Sequence, residues 1–283
     1  MPDFAPLQSV TLGDLKVTYL PDGGGIVEPT ALYPASTAEG WTQYPDLLDA
    51  EGKFLTTIGG YLIEVGERKI IVDTGIGPVN IPFPGFGPFF GGKYLESLAQ
   101  TGVARAAVTD VIFTHLHLDH VGWTTVEENG VRVLTFPNAR HAVTQMEWDF
   151  WYGGENPAGP DPVAVQRPLA PIITFCNGGD EIAPGIRAIS TPGHTPGHVS
   201  LLLEAAGQRL YLLADVLHGA MQVTEPEWSV AFDIDPAQAR ATRDALYADL
   251  MQPDTLVAVN HFSGTVFGRI RAGESGRFWE PMG

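Results

Sequence analysis

Apolar positions along this chain cluster into short runs that stop at turn residues or at an ionisable side chain. Residues 10–20 alternate around Gly13-Asp14, a pattern that predicts an opening β-hairpin. Ile58 to Val65 and Arg68 to Val72 predict a second pair of strands around Gly66-Glu67, ending at Asp73-Thr74-Gly75. Further strands are predicted at 111–113, 139–144, 186–190, 199–203, 210–214 and 256–260, each apolar enough to be buried. Helical spacing appears at 93–100, in the aromatic stretch 145–152, and after Asp235-Pro236. There a capping Asp, a proline at the first helical position and apolar residues at helical intervals coincide. Strands with intervening helices on both sides of the Gly/Pro-rich 153–162 predict an α+β chain. It reads as one domain, 1–283, with halves of about 1–160 and 161–283.

Two stretches fit neither period. Residues 21–55 carry PDGGG and scattered aromatics (Tyr33, Trp41, Tyr44) and read as a long surface excursion that lines a pocket, meets a second subunit or simply covers the fold. Residues 76–92, rich in Gly, Pro and Phe, read as a loop with an oily face. Its residues Phe83, Phe86, Phe89 and Phe90 suit a wall or lid over a substrate site, with packing in a homodimer as the competing account. Trp123, and Trp148 with its aromatic neighbours Phe150 and Trp151, are further candidates for a hydrophobic pocket, although aromatic stripes at helical spacing usually belong to a core.

Most of the apolar runs lead to a side chain of metal-binding type. Thr114-His115-Leu116-His117-Leu118-Asp119-His120 follows the 111–113 strand and holds four potential ligands. Alternate residues of an extended segment point the same way, so His115 and His117 can share one ion. If the chain then turns helical, Asp119 and His120 diverge from that pair and serve a second ion. His194, Asp215 and His261 each follow another strand, which supplies the ligands the first segment lacks. A carboxylate between two cations, as Asp215 would be, can hold them about 3.5–4 Å apart. Asp73 sits where it can accept a hydrogen bond from a ligand histidine, and a plain turn Asp explains it equally. His218 either contacts substrate or caps its turn. His141, inside a strand, reads as a packed or surface residue. Zinc is the default for such donors, with manganese, iron or cobalt as alternatives.

Composition narrows the field. With 44% hydrophobic and 17% charged residues the chain can bury a core, and a net charge of −17 opposes a nucleic-acid partner. The first residues carry neither a basic nor an apolar leader region, and no run approaches the ~20 apolar residues of a membrane span. The expectation is a cytoplasmic protein without a membrane partner. The single cysteine, Cys176, lies away from the ligand motifs and reads as an inert buried thiol.

In order and spacing, HLHLDH, TPGHTPGH, LLADVLHG and VNHF resemble the metallo-β-lactamase-fold hydrolase superfamily over nearly the whole chain. The segment after Asp215 resembles the branch of methyl-parathion-hydrolase-like enzymes and N-acyl-homoserine lactonases. The resemblance implies a four-layer αββα sandwich. It implies one metal on His115, His117 and His194, another on Asp119, His120 and His261, and Asp215 bridging. His194 is then the ligand of TPGHTPGH, His198 supports the loop, and Asp73 sits behind the ligands. A hydroxide between the metals would attack the substrate while Asp119 helps move a proton to the leaving oxygen, so no serine or cysteine nucleophile is needed.

The expected substrate is a small neutral apolar ester or lactone, best an N-acyl-homoserine lactone as in quorum quenching, because Phe and Trp side chains suit an acyl chain. An organophosphate triester is the alternative; β-lactam and thioester substrates fit less well. Flavodiiron oxygen reductases would carry Glu where His117 stands, and glyoxalase II enzymes usually extend further than the 22 residues after His261. A non-enzymatic binding protein would have no need for seven intact ligands.

Overall fold

The computed structural model describes residues 3–154, 156–273 and 276–282. Two mixed β-sheets dominate it. The first runs, from one edge, Thr174–Cys176, Arg140–Thr144, Asp110–Ile112, Arg68–Val72, Phe54–Val65, Leu15–Val27, Gly87–Phe90 and Asn80–Phe83, with Gln8–Leu12 also paired to Leu15–Val27. The second runs Glu181–Ala183, Ile186–Ser190, Val199–Ala205, Gln208–Leu212, Thr255–Ala258, Phe267–Gly273 and Gly276–Pro281.

Side-chain alternation explains how the layers stack. Ile70, Val72 and Ile112 point one way and meet Ala188, Leu201, Leu203, Leu210 and Leu212 of the second sheet in one buried cluster. Ile71, Val111 and Val143 point the other way and pack with Tyr94 and Leu98 of helix Tyr94–Gln100 and with Trp148 and Trp151 of helix Gln145–Trp151. Helix Pro236–Leu250 packs against the second sheet through Tyr247 and Leu250. Its start follows the sequence reading: Asp235 accepts a hydrogen bond from the Gln238 amide at 2.9 Å, and Pro236 opens the helix. The order helix, sheet, sheet, helix is the expected αββα sandwich.

Direction of the strands positions the site. Arg68–Val72, Asp110–Ile112 and Arg140–Thr144 run parallel, so their C-terminal ends share one edge of the first sheet. Ile186–Ser190, Gln208–Leu212 and Thr255–Ala258 likewise share a direction in the second. Asp73, His115, His194, Asp215 and His261 lie just past five of these six ends.

Three expectations about the fold need correction. Residues 21–27 are not excursion but the second half of strand Leu15–Val27, which a bulge between Pro21 and Gly23 carries through the Gly-rich stretch. Residues 29–47 form short helical turns around Trp41, whose ring lies 5.6 Å from Phe54 and 5.0 Å from Trp228, and Phe54 and Leu55 already belong to strand Phe54–Val65. Residues 80–90 are a hairpin rather than irregular loop; its second strand pairs with Gly24 and Gly25, and the missing Cβ atoms of Gly23 and Gly25 leave it room. Prolines 82 and 88, opposite each other in that hairpin, had broken the alternation. The chain passes between sheets after Cys176, not at 153–162, because one more parallel strand, Thr174–Cys176, extends the first sheet. Among the described residues no helix is long and apolar enough to cross a membrane.

His141 is buried and stacks on Phe113, with ring centroids 6.4 Å apart. Burial pushes its imidazole down to about 4 from an ordinary 6.5. A histidine with a depressed folded pKa supports folding above its unfolded pKa and destabilises as pH falls towards the folded value. The span allows up to about 3 kcal/mol. Denaturant unfolding at pH 7 and pH 4 should show wild type losing about that much more stability than His141→Leu; equal losses would contradict this assignment.

Candidate metal centre

At the shared sheet edge the seven predicted ligands converge in two adjacent sets, and a third grouping joins Asp215 and His261 with His218. His115, His117, His194 and Asp215 bring one ligand atom each within 4.8 Å of one another, as do Asp119, His120 and His261. His117 Nδ1 lies 3.0 Å from His115 Nε2 and 2.8 Å from His194 Nε2. Asp215 stands between the sets: its Oδ2 is 3.2 Å from His194 Nε2 and 3.1 Å from His261 Nε2, and its Oδ1 is 3.2 Å from His120 Nε2. Asp119 Oδ2 is 3.8 Å from both His120 and His261. The HLHLDH segment divides as its pattern requires. His117 is still extended, and the single helical turn Leu118–Val121 swings Asp119 and His120 to the other set.

The outward nitrogens of four ligand histidines are held. His120 Nδ1 donates to Asp73 Oδ2 at 2.8 Å, His194 Nδ1 to Asp233 Oδ1 at 2.8 Å, and His261 Nδ1 to the Thr57 carbonyl at 2.9 Å. Thr114 Oγ1 gives its proton to Asp73 at 2.8 Å and so accepts from His115 Nδ1 at 3.1 Å. These bonds leave the Nε2 lone pairs of His115, His120, His194 and His261 facing inward, the tautomer a metal needs, while His117 turns its Nδ1 to the same place. Asp73 adopts a left-handed φ of 60° and Ala214, just before Asp215, one of 48°. Such strain, of order 1–3 kcal/mol each, is characteristic of sites whose surroundings over-determine the backbone.

His198 does not join the convergent set. Its Nε2 accepts the Asp215 backbone N–H at 3.2 Å, and its Nδ1 donates to Thr191 Oγ1 at 2.8 Å. Burial and the neighbouring His194 hold it down at about 3, so it stays neutral and fixes the turn that carries Asp215. His218 faces the same carboxylate, Nε2 to Asp215 Oδ2 at 3.0 Å, with its ring parallel to His261 at 5.1 Å. Its backbone N–H is capped by Gln222 at 2.6 Å, so the turn does not depend on the imidazole.

Charge is the test of whether cations fit. Burial opposes a proton on His194, yet Asp215 and Asp233 outweigh it and lift the imidazole to about 9. Burial likewise opposes raised values at His120 and His261, where Asp215 again prevails. The buried carboxylates thus draw protons onto His120, His194 and His261, whereas burial holds His115 and His117 well below the usual imidazole value; His120 Nε2 and Asp215 Oδ1 are buried without hydrogen-bond partners. Hard and borderline cations satisfy these same atoms, and the donor set suits zinc.

The cleft above is apolar. Leu32, Ile58, Ile76, Ile81, Phe83, Phe89 and Phe232 form its walls, over His117, His194, Asp215, His218 and His261. Phe86 stands behind, its ring stacked 5.0 Å from Phe232. Two expected pocket residues lie elsewhere. Trp123 donates Nε1–H to Asp22 at 3.0 Å and lines a neighbouring groove, and Trp148 is held in the outer core, stacked on Tyr152 at 5.0 Å. Each indole turned to packing or to a buried acceptor because the adjoining chain offered one.

The family model described as the metallo-beta-lactamase superfamily matches residues 60–261. The chain belongs to the metallo-β-lactamase superfamily. Within the superfamily it is 29% identical over 158 residues to an N-acyl homoserine lactonase of a Bacillus species, covering 51% of this chain and 57% of that protein. It is 31% identical over 146 residues to metallo-beta-lactamase domain-containing protein 1 of Xenopus laevis, covering 52% of each. The chain therefore spans a little over half the length of these curated relatives. Among solved structures, AidC, a dizinc quorum-quenching lactonase in complex with N-hexanoyl-L-homoserine product, superposes with a TM-score of 0.84 at 25% identity, covering 99% of both chains. The hydrolase AbOPH of the same superfamily gives 0.81 at 26%, again over 99% of both.

Three buried acids of this metallo-β-lactamase site escaped the sequence reading. Asp233 follows an aromatic with no motif around it. Asp22, inside PDGGG, accepts from the amides of Ile76, Gly77, Gly92 and Tyr94 and so ties down the segment under the cleft wall. Glu147 carried a signal: Thr144-x-x-Glu147 has the spacing of a capping box. Its carboxylate instead accepts from Leu116 N, Trp151 Nε1, Thr195 Oγ1 and Gly197 N, stapling the two histidine loops together. Gly197 is required there, because a Cβ would come within 2.3 Å of Glu147 N. Glu147→Gln replaces one accepting oxygen with a donor, so zinc affinity measured against a chromophoric chelator should fall about 10- to 100-fold. Unchanged affinity would show that the staple does not govern the loops.

Proposed function

We propose that this chain is a two-metal hydrolase that opens the ring of N-acyl-homoserine lactones. One observation carries the reading: seven convergent His and Asp groups lie beneath a cleft whose described lining holds no lysine or arginine. Such a cleft suits a neutral apolar ester. A β-lactam with its carboxylate, or a glutathione thioester, would find no lysine or arginine in that lining to pair with. The lactonase names of the relatives and the product-bound neighbour support the lactone among neutral esters.

In this reading His115, His117 and His194 hold one cation, Asp119, His120 and His261 the other, and Asp215 reaches both. Two divalent cations, when bound, supply a water nucleophile near neutral pH and polarise the scissile carbonyl. Asp119, the least buried ligand, edges the cleft and is placed to pass a proton to the leaving alkoxide. His218 lines the cleft with its Nδ1 unpartnered and is placed to orient the substrate's polar end. Phe83, Phe89 and Phe232, backed by Phe86, enclose the acyl chain and exclude water. A phosphotriester is the second reading, favoured by the same uncharged lining, since it too is neutral and apolar.

A panel of short- and long-chain acyl-homoserine lactones, an aryl ester and a phosphotriester, assayed with zinc-loaded protein, tests this. Lactones should dominate, and Asp215→Ala should remove at least roughly 1000-fold of kcat/KM. Dominant triester turnover would move the protein to the second reading, and silence on the whole panel would refute both. Phe232→Ala should raise KM for long-chain lactones about tenfold or more, the value of burying one phenyl side chain, and leave the shortest nearly unchanged.

A further inference from the structure

The two ligand sets are braced by different parts of the chain, and one brace runs into the last long helix. His120 is held by Asp73 of the first sheet's edge. His194 is held by Asp233, which precedes helix Pro236–Leu250. Arg243, from that helix, places Nη1 3.8 Å from Asp233 Oδ2, and its side chain is only 2% exposed. The guanidinium is anchored in turn by Ser229 Oγ at 3.0 Å and the Pro226 carbonyl at 3.4 Å.

The loop that carries His194 is fitted to the same helix. Asp235 N donates to the Gly193 carbonyl at 2.9 Å, Ile234 N to the His194 carbonyl at 3.0 Å, and Thr242 Oγ1 to the Pro192 carbonyl at 2.6 Å. Gly193, at φ +130°, lies so close that a Cβ would meet Ala239 N at 2.1 Å. A buried arginine beside a buried carboxylate is costly to keep unless both are held; Asp233 is held through Oδ1 by His194 and Arg243 by Ser229 and Pro226, and the two meet as an ion pair at 3.8 Å without a hydrogen bond.

We propose that Asp233 and Arg243 are positioning residues that set the affinity of one metal subsite, the one built on His115, His117 and His194, independently of the other. Arg243 acts through Asp233, and Asp233 acts through the His194 ring, so the helix Pro236–Leu250 becomes part of the metal site without touching it. The inference rests on the two-metal reading above.

The test is a two-step zinc titration of metal-free protein against a chelator, on the full chain, for wild type, Asp233→Asn, Arg243→Met and Arg243→Lys. Melting temperatures of the metal-free forms report any loss of fold. One of the two affinities should fall about 10- to 100-fold in Asp233→Asn and Arg243→Met while the other stays at the wild-type value, with Arg243→Lys partly restoring it. In cadmium-113 spectra of the loaded protein, one of two resonances should shift and the other hold still. Unchanged affinities, or equal weakening of both together, would overturn the proposal, the latter assigning the pair to scaffolding. A wild type that takes up one ion would sink the two-metal reading instead. Asp233→Asn then decides the inference on that ion alone: it stands if the affinity falls by this factor and fails if it does not.

Discussion

A carboxylate buried among imidazoles is the constraint on which this structure turns. Asp215 is almost fully enclosed, yet histidines of both ligand sets crowd its two oxygens. An isolated ion in such a place would cost many kcal/mol, so the surroundings must bring positive charge to it. Strand directions, loop staples and outward hydrogen bonds of the histidines all serve that end. Two sheets whose relevant strands point to one edge deliver the groups; Glu147 and Asp22 then fix the loops that the strands release.

The floor of the site was far more legible in the sequence than its supports or roof. HLHLDH, His194, Asp215 and His261 stand at the ends of apolar runs, and chain direction at a strand end is a local property that spacing reveals. Asp233 and Asp22 gave no such signal, because their roles depend on which distant amides and imidazoles come to meet them. The same reason explains Trp123 and Trp148. Aromatic character marks burial, whereas choosing between core and cleft requires the partners, here Asp22 for one indole and Tyr152 for the other.

The glycine-rich segments show a second limit. Leu15–Val27 continues as a strand through residues that have almost no β propensity, because Gly23 and Gly25 give room for the Phe89 and Phe90 strand beside them. Local preference argued for a loop, and tertiary pairing overrode it. That override places the phenylalanine hairpin above the ligands and so shapes the cleft. Chemistry and selectivity therefore have different origins in this chain: the first in short motifs at strand ends, the second in long-range packing of Phe83, Phe89 and Phe232.

Sharing of Asp215 between two ions is the central claim, and X-ray absorption at the zinc edge of the loaded protein tests it most directly. The account predicts two zinc ions per chain and a metal–metal scattering shell at about 3.5–4 Å. A single ion in a His-rich shell, with no metal neighbour at that distance, would contradict it.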